Sequence, residues 1–262
     1  MDVVVNGNTE EIPKGAISLV SQGYLPNIVH CLYSEAQNAP LADLLRRTHH
    51  LTGQWVIASP IYWEATHNDA TIVATPPELP LTDEESMLWF AAVSELLHED
   101  GFNPVYHNSG MWLFDVSNKP PLNSKAIRSL LNQSLMPHLA TLDTTLYWQR
   151  LFTELQMFFS EHPLNKNREI PVNGLWFWGE GALQPPPQKS IVTDMQLLIE
   201  AFSINPIQDN TVFTKDSLVI IQDATHLEKI HLVKKLKKQT VNWYWNNTAY
   251  TTKSTHWWSR GR

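Results

Sequence analysis

The chain has 262 residues, 43% hydrophobic and 17% charged, with a net charge of -7 from 19 basic against 26 acidic side chains. That length can bury a sizeable core, and the acidic balance argues against nucleic acid or an anionic membrane as a partner held by bulk electrostatics. Cys31 is the only cysteine, so neither an internal disulfide nor a cysteine-based zinc site can form.

No signal peptide is read at the start, and no apolar run approaches the roughly 18 residues of a membrane span, so a cytoplasmic location is expected. Residues 1–15 are polar, with two glycines and a proline, and read as a flexible arm ahead of a single α/β body over 16–262. Leu41 to His50 fits a short helix. Gln54 to Ser59 is a strand by composition, stopped by Pro60, and Thr71 to Ala74 is its partner. Thr82 and Glu85 form a capping box opening a helix to about Glu99. Pro104 to His107 and Met111 to Asp115 flank Asn108-Ser109-Gly110, which is hairpin chemistry. This β-β-α-β-β order over about 54–115 predicts an antiparallel or mixed sheet with a helix on one face, within an α/β fold of mixed sheet and flanking helices.

A second part, about 143–258, carries a short helix near Ser124 to Leu131 at its approach and a long one from Asp143 to Glu161. A polar loop follows, then a nearly continuous apolar strand, Val172 to Trp178, ending in Gly179-Glu180-Gly181. Such a run suits a strand covered on both faces. Gln184 to Gln188, rich in proline, reads as a rigid extended connector. Ile191 to Thr193, Gln196 to Phe202 and Ser217 to Gln222 alternate in α/β fashion. Thr225 and Glu228 offer another capping box, for a helix to Lys238 whose lysines form a solvated face. Val241 to Trp245 and Ala249 to Thr252 read as a hairpin, and Trp257-Trp258 as a docked tail.

The loop and strand from His162 to Gly181 hold the main candidate ligand site. His162 at a helix C-terminus, with Asn165 and Arg168, can hold an anion, phosphate being the natural guest of a guanidinium. The competing reading is a capping histidine and an arginine paired with Glu161 or Glu169. Asn173 contacts either a ligand or the loop's own backbone. Trp176 and Trp178 share one face, as a pocket wall or as core. His67 and Asp69, spaced i, i+2, and Asp223 and His226, after a strand end, are the candidates for proton transfer or metal ligation. Each pair also has a plain use in a turn.

The stretch LFTELQMFFSEHPLNKNREIPVNGLWFWGEG, with GQWVIASPIYWEATHNDATI and GMWLF before it, resembles a bacterial family labelled cofactor-independent phosphoglycerate mutase or regulatory protein. The matching motif positions are Glu154, Gln156, Met157, His162, Pro163, Asn165, Arg168, Pro171, Asn173, Trp176, Trp178, Gly179 and Gly181. That family is distantly similar to archaeal-type metal-dependent phosphoglycerate mutases, so the resemblance implies a reduced alkaline-phosphatase-like fold. The mutases use two metal ions and a serine nucleophile, and two metals need about six or seven Asp and His ligands. This sequence does not supply that set. The expectation is therefore a phosphoglycerate-mutase-like protein without cofactor, binding a phosphorylated metabolite or acting in regulation. The alternatives are an active mutase or phosphoesterase with manganese or magnesium on an unconventional ligand set, and a protein-interaction module using the tryptophan-rich tail.

Overall fold

The computed structural model describes residues 1–33, 39–76, 78–184 and 189–254. In chain order its elements are β1 (Asp2–Val5), β2 (Ile17–Leu19), α1 (Tyr24–Leu32), α2 (Leu41–Thr48), β3 (Trp55–Ala65), β4 (Ala70–Ala74), α3 (Asp83–His98), β5 (Pro104–Asn108), β6 (Met111–Asp115), α4 (Met136–Leu139), α5 (Tyr147–Glu161) and β7 (Gly174–Trp178). They continue with β8 (Ser190–Thr193), α6 (Gln196–Phe202), β9 (Ser217–Ile221), α7 (His226–Lys229), α8 (Leu232–Leu236), β10 (Val241–Tyr244) and β11 (Ala249–Thr252). The chain is α/β and divides into two compact units, Met1–Glu35 with Leu183–Arg262, and Ala36–Ala182.

The first unit is built on a six-stranded sheet ordered β2-β11-β10-β1-β9-β8. Strands β10, β1, β9 and β8 are parallel neighbours, and β11 and β2 add an antiparallel edge. Residues 2–5, expected in an arm, are instead a central strand: Val3, Val4 and Val5 are fully buried, and β1 pairs with β9 on one side and β10 on the other. Three consecutive β-branched residues suit a strand covered on both faces. Val3, Val5, Val219, Ile221, Val241 and Trp243 face one way and meet Leu227, Ile230, Leu232 and Leu236 from α7 and α8. The alternate residues Val4, Leu218 and Ile220 point the other way, and α1 packs against β1 and β9.

The helix expected from Thr225 to Lys238 is two short helices, broken where His231 adopts a left-handed φ of 50°. Thr225 makes no side-chain cap; its N–H donates to the Asp223 carboxylate. The expected 241–252 hairpin forms, with β10 and β11 antiparallel.

The second unit uses β3 as its spine. β6 pairs with its first half and β4 with its second along one edge, and β7 lies along the other, all antiparallel. The strand runs through Pro60 instead of stopping there. Between Ala58, the last partner of β6, and Tyr62, the first partner of β4, one edge of β3 has no strand partner among the described residues. A proline without an N–H is tolerated at such a gap. The Thr82–Glu85 capping box and the β5–β6 hairpin are both present. The helix expected over Ser124 to Leu131 is only a 3-10 turn, Ile127–Ser129. α5 packs on β7, α2 on β3 and α3 on β5. Trp89, Trp112, Phe114, Trp148, Phe159 and Phe177 are buried in the core; Trp89 meets Phe159 at 4.9 Å, and Phe177 meets Phe114 at 5.6 Å and Trp148 at 5.2 Å. Residues 185–188 of the proline connector and Trp257-Trp258 lie outside the described residues.

Candidate functional site

The loop after α5 folds from its own polar groups. Asn165 Nδ2 donates to the carbonyls of Phe159, 2.8 Å, and Val172, 2.7 Å, and its Oδ1 accepts from the Val172 N–H at 2.9 Å. Asn165 thus ties the end of α5 to the approach of β7. His162 Nδ1 accepts from the Leu164 N–H, and its ring lies 4.6 Å from Trp89 and 5.0 Å from Phe158. Asn173 exchanges two hydrogen bonds with the Trp63 backbone, at 2.8 and 2.7 Å, extending the β3–β7 pairing by one residue.

Arg168 is only 9% exposed in its side chain, and its partner is Glu85 at 2.9 Å, neither Glu161 nor Glu169. It also donates to the carbonyls of Pro80, 2.6 Å, and Ile170, 3.2 Å. The Glu85 carboxyl is held below its ordinary range chiefly by the Thr82 N–H, with Arg168 adding to the effect. Trp176 and Trp178 are buried, with Nε1 donating to the Lys125 carbonyl and the Ser59 hydroxyl respectively. Trp176 stacks on Phe152 at 5.2 Å. The polar groups expected to meet a ligand are spent on the loop, the capping box and the core.

The candidate metal ligands are divided between the units. His67 Nδ1 is bonded to Asn68, and Asp69 accepts from the Ala70 N–H and the Ser134 hydroxyl. His226 Nδ1 lies 2.5 Å from Asp194, a residue not singled out from the sequence. Asp194 also accepts from the N–H groups of Gln222 and Asp223, so it braces the strand ends of β8 and β9. Among the described residues no three His, Cys, Asp or Glu side chains come together to hold a metal ion. The donor set among the described residues therefore does not fit the manganese or magnesium pair that the mutases use.

A cleft of about 600 Å³ opens at the other end of β7, where the start of β3 and the ends of β6 and β7 meet. The five residues of β7 carry the chain about 17 Å from the polar loop to this cleft. Its lining includes Arg46, Arg47, Lys119, Asp43, Glu180 and Gly181. The spacing of Asp43, Arg46 and Arg47 puts all three on one helix face. Arg46 donates to Asp43 at 2.7 Å and to the Leu51 carbonyl at 2.8 Å; Arg47 Nε donates to the other Asp43 oxygen at 3.1 Å. The two terminal nitrogens of Arg47 have no partner among the described residues, and its side chain is 35% exposed. Lys119 is held over the Phe102 ring at 4.4 Å and donates to the Asp100 carbonyl.

Glu180 accepts from the Ser124 N–H at 2.7 Å and its hydroxyl at 3.2 Å. Burial nonetheless pushes its carboxyl above the ordinary value, the Ser124 bonds opposing. Three cations thus face two carboxylates, one of which burial inclines to the neutral form. Two glycines set the walls. Gly179 has φ 81°, and its carbonyl accepts from the Ala42 N–H at 3.0 Å, so a Cβ there would meet Ala42 N at 3.3 Å. A Cβ on Gly53 would stand 2.6 Å from the Ser117 hydroxyl.

The expected glycine exit is thus at a cleft mouth, while the expected ligand residues are not. The helical Asp-x-x-Arg-Arg pattern was the sequence signal for it. The chain matches no protein-family model, no curated protein and no solved structure.

Proposed function

We propose that this is a phosphoglycerate-mutase-like binding protein whose second unit holds a small phosphorylated metabolite, or acts in regulation through that binding. The observation that carries the reading is Arg47: one carboxylate serves two arginines, and the two terminal nitrogens of Arg47, beside a cleft of ligand size, have no partner among the described residues. A guanidinium fork is suited to the paired oxygens of a phosphoryl group. Lys119 adds charge to the lining, and Glu180 offers an acceptor for a ligand hydroxyl. A phosphorylated hydroxy acid has both features.

The test is isothermal titration with 3-phosphoglycerate, inorganic phosphate and glycerate. The phosphorylated ligands bind and glycerate does not; Arg47→Gln weakens binding about 10- to 100-fold, the range for a hydrogen-bonded charge. Equal affinity in the wild-type protein and Arg47→Gln would remove the cleft from consideration. Mutase turnover that requires added manganese would favour the metal-dependent alternative instead.

A further inference from the structure

The first unit carries its own hollow, of about 390 Å³, beside α8, β10 and β11. Its walls include Leu236, Val241, Trp243 and Tyr250, all buried side chains of the core that also show a face to the hollow. An apolar wall alone would be ordinary. Two polar groups of residues on that wall are less so. Trp245 lines the hollow, and its Nε1 is a buried donor with no hydrogen-bond partner among the described residues. Buried indole nitrogens are nearly always paired, because an unmet donor forfeits its water. The Tyr250 hydroxyl is the neighbour of that nitrogen without reaching hydrogen-bond geometry. Burial raises this phenol above its ordinary value, the indole opposing, so it keeps its proton at neutral pH and remains a donor.

The remaining polar lining has one sign. Lys14, Lys237 and Lys253 contribute to the hollow, and among the described residues no aspartate or glutamate does. In a chain of net charge -7 this is a local reversal. An apolar cavity with two adjacent donors and three cations is complementary to an apolar body that ends in an anionic acceptor.

We propose that this hollow binds an apolar monocarboxylate, an aromatic or medium-chain aliphatic acid. The hydrocarbon lies against Leu236, Val241 and Trp243, and the carboxylate takes the Trp245 and Tyr250 donors within reach of the lysines. The volume is near the lower end for ligand sites, which favours a small acid over a lipid with two chains. The site is independent of the phosphate cleft, since every lining residue belongs to the first unit.

The experiment uses the full chain labelled with nitrogen-15 and follows the indole N–H resonances, with Trp245→Phe identifying the one that matters. Decanoate, added below its micelle concentration, shifts the Trp245 resonance saturably and slows its hydrogen exchange. Decanol binds at least tenfold more weakly, and Lys237→Gln with Lys253→Gln weakens decanoate at least threefold. Arg47→Gln leaves all of this unchanged, so failure here is separable from failure of the phosphate reading. An unmoved Trp245 resonance at saturating decanoate, or equal binding of decanol, overturns the proposal. So does a Trp245 resonance that responds only when residues 255–262 are removed, which would make the chain's own tail the occupant. If Trp245→Phe does not fold, Tyr250→Phe serves instead, and undiminished decanoate affinity in it has the same force.

Discussion

Arg168→Ala separates a structural arginine from a ligand-binding one. In the structure its guanidinium bonds to two backbone carbonyls, Pro80 and Ile170, and to Glu85. Hydrogen bonds from a charged group to carbonyls contribute about 1.5 kcal/mol each at the lower end of their range. The Glu85 pair adds little, because that carboxylate is 45% exposed and water screens it. Removing the side chain therefore costs about 3 kcal/mol, a fall of about 6–12 °C in melting temperature for a unit of this size. Differential scanning calorimetry measures the fall, and titration of the same variant with 3-phosphoglycerate shows wild-type affinity. A variant that melts within 1 °C of wild type yet no longer binds the ligand would refute the reasoning and return the site to the polar loop.

Three further outcomes follow from the same geometry. Gly179→Ala forces a methyl into a left-handed backbone against Ala42 and Ile57, costing about 1–3 kcal/mol and weakening phosphate binding, both read by calorimetry. His107 and His49 share a 2.9 Å ring contact, and burial, then His49, lowers the His107 pKa below its ordinary 6.5. The unfolded chain therefore takes up this proton first. The contribution is fully present above about pH 6.5 and is lost as pH falls toward the depressed folded value, so melting temperature declines in that window and His107→Gln flattens the decline. Glu180 has the opposite sign: its raised pKa favours the folded state at low pH and the benefit is lost as pH rises through the folded value. Glu180→Gln removes that slope from the stability profile, while a slope identical to wild type would show the carboxyl is not the source.

What the sequence made legible was local. The Thr82–Glu85 box, the Asn108-Gly110 turn and the 241–252 hairpin each depend on residues a few places apart, and each is present. Residues 2–5 are not legible as a strand because their partners lie beyond position 217, and four residues bordered by glycine and asparagine carry little periodicity of their own. Pro60 misled for a related reason, since only the hand-over from β6 to β4 reveals an edge that needs no N–H. The capping residue Thr225 follows the pattern but not the geometry: Asp223 already engages its N–H, and the following chain turns left-handed at His231. At the polar loop the residue types were right for an anion, yet backbone carbonyls such as Pro80 cannot be seen in a side-chain pattern, and they claim Arg168 first.

The placement of β1 also dictates an order of assembly. Its partners in β9 and β10 emerge from the ribosome more than 200 residues later, whereas residues 36–182 contain every strand their own sheet uses. The unit over residues 36–182 can close while the other waits with an unpaired valine strand exposed, a template for aggregation until synthesis passes residue 244. Chaperone occupancy on stalled nascent chains should therefore drop in two stages, and deleting residues 2–5 should abolish only the second.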